Sequence, residues 1–308
     1  MRTETRPESP APSSAPAQPV GRPGAALIAS SRAEWLRLRK WPAVWVLVGT
    51  WLLLNLTFGY VFNYIAYATD SANFASEGVP PEALLADILP AAVPDIFANG
   101  MPMFGGAIVM ILGALASGSG YGWGTWKTVL TQGPGRLAAF GGTLAAVAGM
   151  VLVVIAATLA VDLGASLLIA AVESQPITWP AWGELALSVG GGTLIMTMWA
   201  AAGVLIGVLT RSPAVAIGLG LVWSLVVENL LRGVSGLLDA MSYVTDVMPG
   251  TASGSVAGAL GQATQADDGG APGVQTILDG STAAIVVTVY IVVFTVAAAI
   301  LMRRRDLA

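Results

Sequence analysis

"AVWVLVGTWLLLNLTFGYVFNYI", residues 43–65, decides the fold. No charge interrupts it. A helix crossing the ~30 Å hydrocarbon layer needs about 20 apolar residues, and this run supplies them. Five further stretches read the same way, at about 98–118, 137–161, 184–209, 213–231 and 282–302. The whole chain agrees. Of its 308 residues 55% are hydrophobic and only 10% charged, against roughly 25% charged in soluble domains, and its mean hydropathy is +0.74. Backbone groups in lipid must be satisfied within the segment, which favours helices. The expectation is an all-α membrane protein with six transmembrane helices. Apolar residues continue past Asp162 to Val172, roughly 50 Å of helix. This predicts a break near Gly164 or a protruding, tilted end to the third span. Counted from the start of that span, Asp162 falls near the outer interface, where a carboxylate costs little.

Charge fixes the orientation. The formal net charge of −4 hides a segregation of sign. Arg2, Arg6, Arg22, Arg32, Arg37, Arg39 and Lys40 precede the first span. Lys127 and Arg136 lie between the second and third, Arg211 between the fourth and fifth, and Arg303, Arg304 and Arg305 follow the sixth. With six spans all of these share one side, and Arg232 alone lies opposite. Loops on that opposite side carry Asp70, Glu77, Glu82, Asp87, Asp95, Asp239, Asp246, Asp267, Asp268 and Asp279. Basic flanks stay inside, so both termini are expected in the cytoplasm of a multi-pass cell-membrane protein. Such flanking charge serves the bilayer, and no nucleic-acid partner is expected. Glu228 and Arg232, four apart, predict an ion pair. Residues 250–281, rich in Gly, Ala, Thr and Asp, read as a flexible outer loop, while "GGG" at 190–192 and "GVLIG" at 203–207 offer small faces for close helix packing.

Residues 1–24 are Pro/Ala/Ser-rich with almost no large apolar side chains, which predicts a disordered cytoplasmic tail rather than a cleaved leader. Residues 25–308 then form one membrane domain. Just before the first span, Leu27, Ile28, Ser31, Trp35, Leu38 and Trp41 share one helical side. Arg32, Arg37, Arg39 and Lys40 take the other, with Glu34 and Leu36 breaking the pattern. A basic amphipathic helix with tryptophans suits the headgroup plane. Pro42 then turns the chain inward.

The most polar stretch between spans is "GSGYGWGTWKTVLTQGPGR", residues 118–136. A phosphate-binding loop would need glycines where Tyr121 and Trp126 stand ahead of Lys127, and two aromatic rings would block the phosphates. The chain has no Cys and no His, which removes thiol nucleophiles, His-ligated metals and a Ser-His mechanism around Ser119. "GTWKTVL" can form two helical turns with Thr125 as N-cap, stopped by "GPG" at 133–135. The residues alone leave both a docking helix and a plain hairpin open.

Tyr121, Gly124, Thr125, Leu130 and Arg136, spaced as they are between the second and third spans, resemble the permeases of the ATP-binding-cassette type-2 exporter family. The in-plane helix, six spans and cytoplasmic termini fit the same family, over roughly residues 25–308. Gly120 departs from it, since many relatives carry an acid before the tyrosine. The resemblance implies a permease domain with no cofactor of its own, ATP being bound by a separate ATPase subunit, and a second permease copy or homologue as partner. It also implies that the 118–136 loop is the coupling helix. Trp123, Trp126 and Leu130 would pack on the ATPase, with Lys127 and Arg136 steering an acidic surface. No catalytic or metal-binding residue is expected on this chain. The alternatives are a secondary transporter or channel, whose ionisable groups usually sit at mid-membrane, and a membrane enzyme. Nothing in the spans names a substrate.

Overall fold

A computed structural model describes residues 23–69, 79–122, 135–235, 239–262, 264 and 270–304. The described residues contain helices and no strand. Six of their helices are long and apolar enough to cross a membrane: Pro42–Thr69, Met101–Tyr121, Arg136–Val172, Trp182–Thr210, Pro213–Val234 and Gly280–Arg304. These are the six expected spans: four match their predicted bounds to within a few residues, the second is shifted three residues along the chain, and the third runs eleven residues past its predicted end. A helix over Pro23–Lys40 precedes them.

The second and fourth spans form the centre. Their apolar windows are 72% and 67% buried, against 17% for the fifth and sixth. Small residues let the two backbones approach closely. A side chain at Gly203 would strike the Met110 carbonyl oxygen, and one at Gly113 would strike that of Ala200. Gly207 faces Ser117, whose hydroxyl donates to the Val204 carbonyl at 3.2 Å. The "GVLIG" face is therefore internal. Gly191 and Gly192 receive Leu260, Phe97 and Met101 from the segments at the far end.

The third span has no break at Gly164. It runs as one helix of 37 residues over Arg136–Val172, about 55 Å, the continuous form of the two that the apolar run allows. Gly164 is helical and exposed, with open space beside it, and the first span continues to Thr69. The two helices run parallel in register. Trp51 meets Thr158 and Asn55 meets Asp162, each pair 107 residues apart. Pro42 is thus level with Gly149, and the earlier turns of the third span project beyond the start of the first. The N-terminal helix covers them: Leu27 lies on Gly141, Ser30 and Ser31 on Gly142, and Trp35 on Gly149. Leu38 is fully buried, whereas Leu27 and Ile28 remain exposed. The stripe read as lipid-facing is thus turned partly onto protein.

Residues 249–259 correct the expectation of a flexible loop. They form a helix, Pro249–Ala259, in which Thr251 to Ala257 are all buried. Gly254 and Gly258 press on the backbone of Gly273 and Gln275, and the Gln275 amide donates to the Gly254 carbonyl at 3.1 Å. Small residues here are close-packing surface rather than linker.

Candidate functional site

Two ends of the bundle are chemically distinct. At the basic end, loop 118–136 is held at both margins. Trp123, Gly124, Thr125, Trp126, Lys127 and Leu130 lie outside the described residues. Tyr121 and Arg136 converge on the last turn of the sixth span: the Tyr121 hydroxyl donates to Met302 Sδ at 3.2 Å, and Arg136 Nη1 to the Arg303 carbonyl at 3.5 Å. The Arg211 guanidinium lies 5.9 Å from the Tyr121 ring centroid, within cation–π range. Arg211 ends the fourth span with φ 55°, a left-handed cap usually taken by glycine. Gly118 abuts the backbone of Pro213, which opens the fifth span.

The N-terminal helix joins this knot through Arg37. Arg37 Nη2 donates to the Ala116 carbonyl at 2.7 Å and Nη1 to Ser119 Oγ at 3.4 Å. Arg37 is also paired with Glu34 at 2.7 Å. A cation there complements the carbonyl end of the second span. Burial pushes the Glu34 carboxyl above its ordinary value, and Arg37 opposes this. Among the other residues assigned to an in-plane helix, Arg32, Arg39 and Lys40 are exposed, while Trp35 and Trp41 are half-buried. Residues of the second to sixth spans and the N-terminal helix thus meet within two turns of the loop margins.

A polar seam runs between the first and third spans. The Trp51 indole donates to Thr158 Oγ1 at 2.8 Å, and Asn55 Nδ2 to Asp162 Oδ1 at 2.6 Å. Asp162 is fully buried, and its Oδ2 has no hydrogen-bond partner; neither has the buried Tyr60 hydroxyl. Asn55 is thirteen residues beyond Pro42, about 20 Å along the helix, and Asp162 lies level with it, buried against protein. Beside it, Thr57–Val61 forms a π-turn, a local widening frequent at functional sites. Beyond the seam, the Tyr64 and Tyr67 hydroxyls both donate to Glu173, at 2.8 and 3.2 Å. Trp51, Asn55 and Thr158 went unnoticed in the sequence. The signal was present, as polar tips four residues apart in two apolar runs.

Glu228 and Arg232 do not form the expected ion pair. The π-turn Val222–Val227 ends at Glu228, which opens the helix Glu228–Ser235. Glu228 is 1% exposed. Its Oε1 accepts from the Trp223 indole at 2.9 Å, while Arg232 Nη2 donates to Asn229 and its Nε to the Glu228 backbone carbonyl. At the acidic end, burial raises the Asp95 carboxyl, and nearby Glu184 and Asp87 raise it further. Among the described residues no three His, Cys, Asp or Glu side chains gather as a metal site would require. Compared with known proteins, the sequence matches no protein-family profile and no curated protein.

Proposed function

We propose that the chain is the membrane-spanning permease subunit of an ATP-driven exporter, working as a pair of permease halves with a separate ATPase. Both termini and the basic end face the cytoplasm, and the N-terminal helix rests at the headgroup level. The chain itself carries no nucleotide site, and loop 118–136 is the coupling element. The observation that supports this is the convergence of Tyr121 and Arg136 on the last turn of the sixth span, with Arg211 and Arg37 beside them. Force applied between Tyr121 and Arg136 is thereby delivered to five spans at once, where a plain hairpin would connect two. In the loop, Trp126 and Leu130 supply the apolar contact and Lys127 the steering charge.

The test is direct. Trp126→Ala with Leu130→Ala should insert normally but lose co-purification with the ATPase, or lose export while ATP hydrolysis continues. Saturable ATP binding by the isolated chain that disappears in Lys127→Ala would overturn the proposal. Orientation is checked on the cysteine-free background. Single cysteines at Ser76 and Ala266 should react with an impermeant maleimide in intact cells, and one at Thr131 only after permeabilisation.

Asp162 favours a second reading, a secondary transporter or channel without an ATPase. A buried carboxylate on a spanning helix with one unpartnered oxygen is what such proteins use for ion coupling. Transport that persists without ATP and is lost in Asp162→Asn would select this reading.

A further inference from the structure

We propose that the cavity between the fifth and sixth spans holds the hydrophobic tail of a bilayer phospholipid, which enters sideways between the two helices. Both spans pack on the fourth, and the wedge between them leaves a cavity of about 430 Å³. Met110 of the second span and Ala202 of the fourth form its buried floor. Trp223, Tyr290 and Phe294 stand in its walls, and Val244, Val247, Met248 and Pro249 close its acidic end. Its lining on the fifth span runs from Trp223 to Leu231, about 12 Å along the helix. An apolar cavity of roughly 150 Å³ already takes a benzene ring, so this one has room for a longer apolar body.

The walls select an uncharged occupant with nothing to hydrogen-bond. Only three lining side chains carry an N–H or O–H, and each is directed elsewhere. The Trp223 indole donates to Glu228 Oε1 and the Tyr290 hydroxyl to the Val247 carbonyl, both at 2.9 Å. The N–H edge of Trp199 lies against Gly106, which does not line the cavity. Water needs several polar partners to settle in a cavity and finds none here. A polar or ionic ligand would give up its hydration without return. An empty space would forfeit the dispersion contacts of the side chains around it. The entrance names the source of the occupant. Trp223, Val244 and Val247 line the cavity and are also exposed at the surface. They open between the two spans whose apolar windows are least buried, at 17% each. The mouth is therefore continuous with the lipid-facing surface, where acyl tails are the apolar material at hand. A helix of a partner does not fit, because one about 10 Å across fills this volume with a single turn.

The inference needs the chain to span a bilayer and does not rest on the exporter reading, which co-purification with an ATPase tests separately. The full chain is reconstituted in phosphatidylcholine vesicles, a small fraction of the lipid carrying a diazirine near the end of one acyl chain. After irradiation the labelled residues are mapped by mass spectrometry. Exposed Leu219 and Val292 report the lipid-facing surface, and buried Met110 and Trp199 report the cavity. All four should be labelled. Ala202→Phe fills the floor and should abolish labelling of Met110 while Val292 keeps its label; Leu205→Trp serves the same purpose should the first variant not insert. A diazirine-tailed phosphatidylglycerol should give the same pattern, because the lining offers nothing to a headgroup. Labelled Leu219 and Val292 with Met110 and Trp199 blank would overturn the proposal. So would labelling of Met110 that survives both filled variants, or labelling with only one of the two headgroups. Labelling of Met110 that appears only when each vesicle holds a single chain would also overturn it, assigning the cavity to side chains of a second copy.

Discussion

Replacing Asn55 by Leu isolates the polar seam. Leucine shares the branched shape of asparagine, so most of the packing of the first span on the third is kept while the one hydrogen bond to the Asp162 carboxyl among the described residues, 2.6 Å long, is lost. Asp162 is fully buried and already has one unpartnered oxygen. Losing a hydrogen bond to a charged group costs about 1.5–3 kcal/mol. Interhelical hydrogen bonds between neutral side chains in membranes average only about 0.6 kcal/mol, so the carboxylate should lift this pair above that figure. Asn55→Leu is expected to cost about 2 kcal/mol. Asp162→Leu leaves only an amide unpaired and should cost about 1 kcal/mol. The double variant removes both polar groups and should lie within about 1 kcal/mol of wild type, because a well-packed apolar pair often equals a buried polar one. The coupling energy is then roughly 2 kcal/mol, far outside the additivity expected of independent sites. Reversible unfolding by denaturing detergent in mixed micelles measures all four corners. Additive single effects would refute the reasoning, since they would mean that Asp162 finds another partner once Asn55 is gone.

Other outcomes follow from the same geometry. Asp95→Asn should raise stability at neutral pH and change nothing below the ordinary carboxylate range. Burial and neighbouring acids hold the folded-state value high, so ionisation disfavours the folded state as pH rises through that range; pH-dependent unfolding curves of the two proteins would show it. Gly142→Leu should detach the N-terminal helix, because even a Cβ there lies within 3 Å of the Ser30 and Ser31 backbone; faster proteolysis between residues 23 and 40 in otherwise folded protein is the readout. Arg37→Ala should loosen the same helix from the second span and lower transport several-fold at normal protein level, with Arg37→Lys restoring little because a single ammonium cannot reach Ala116 and Ser119 together.

The spans were legible because a membrane reads composition, and 20 apolar residues leave few alternatives. What was not legible lay between segments far apart in the chain. The apolar run past Asp162 was legible, but not that Asn55, 107 residues earlier, meets that carboxylate and that protein buries it. Residues 249–259 read as a linker because Gly, Ala, Ser and Thr carry no apolar period, yet those small side chains are what allow the helix to lie against the 273–275 backbone. Glu228 and Arg232 have the spacing of an ion pair on a regular helix, but Glu228 is drawn to the Trp223 indole and Arg232 to Asn229, partners that the spacing rule does not weigh. The knot at Tyr121, Arg136 and Arg211 was half visible: the loop was recognised, but its anchorage on Met302 and Arg303 needed the fold.

The seat of the N-terminal helix has a consequence for synthesis. Leu27 and Trp35 leave the ribosome early, but their resting places at Gly141 and Gly149 follow more than a hundred residues later. At about 5–20 residues per second, the helix waits on the order of ten seconds for its partner, during which two spans must already have been threaded into the bilayer. On the proposed reading its tryptophans and exposed basic residues would suit it to wait on a lipid surface rather than in water, a mooring first and an interface later.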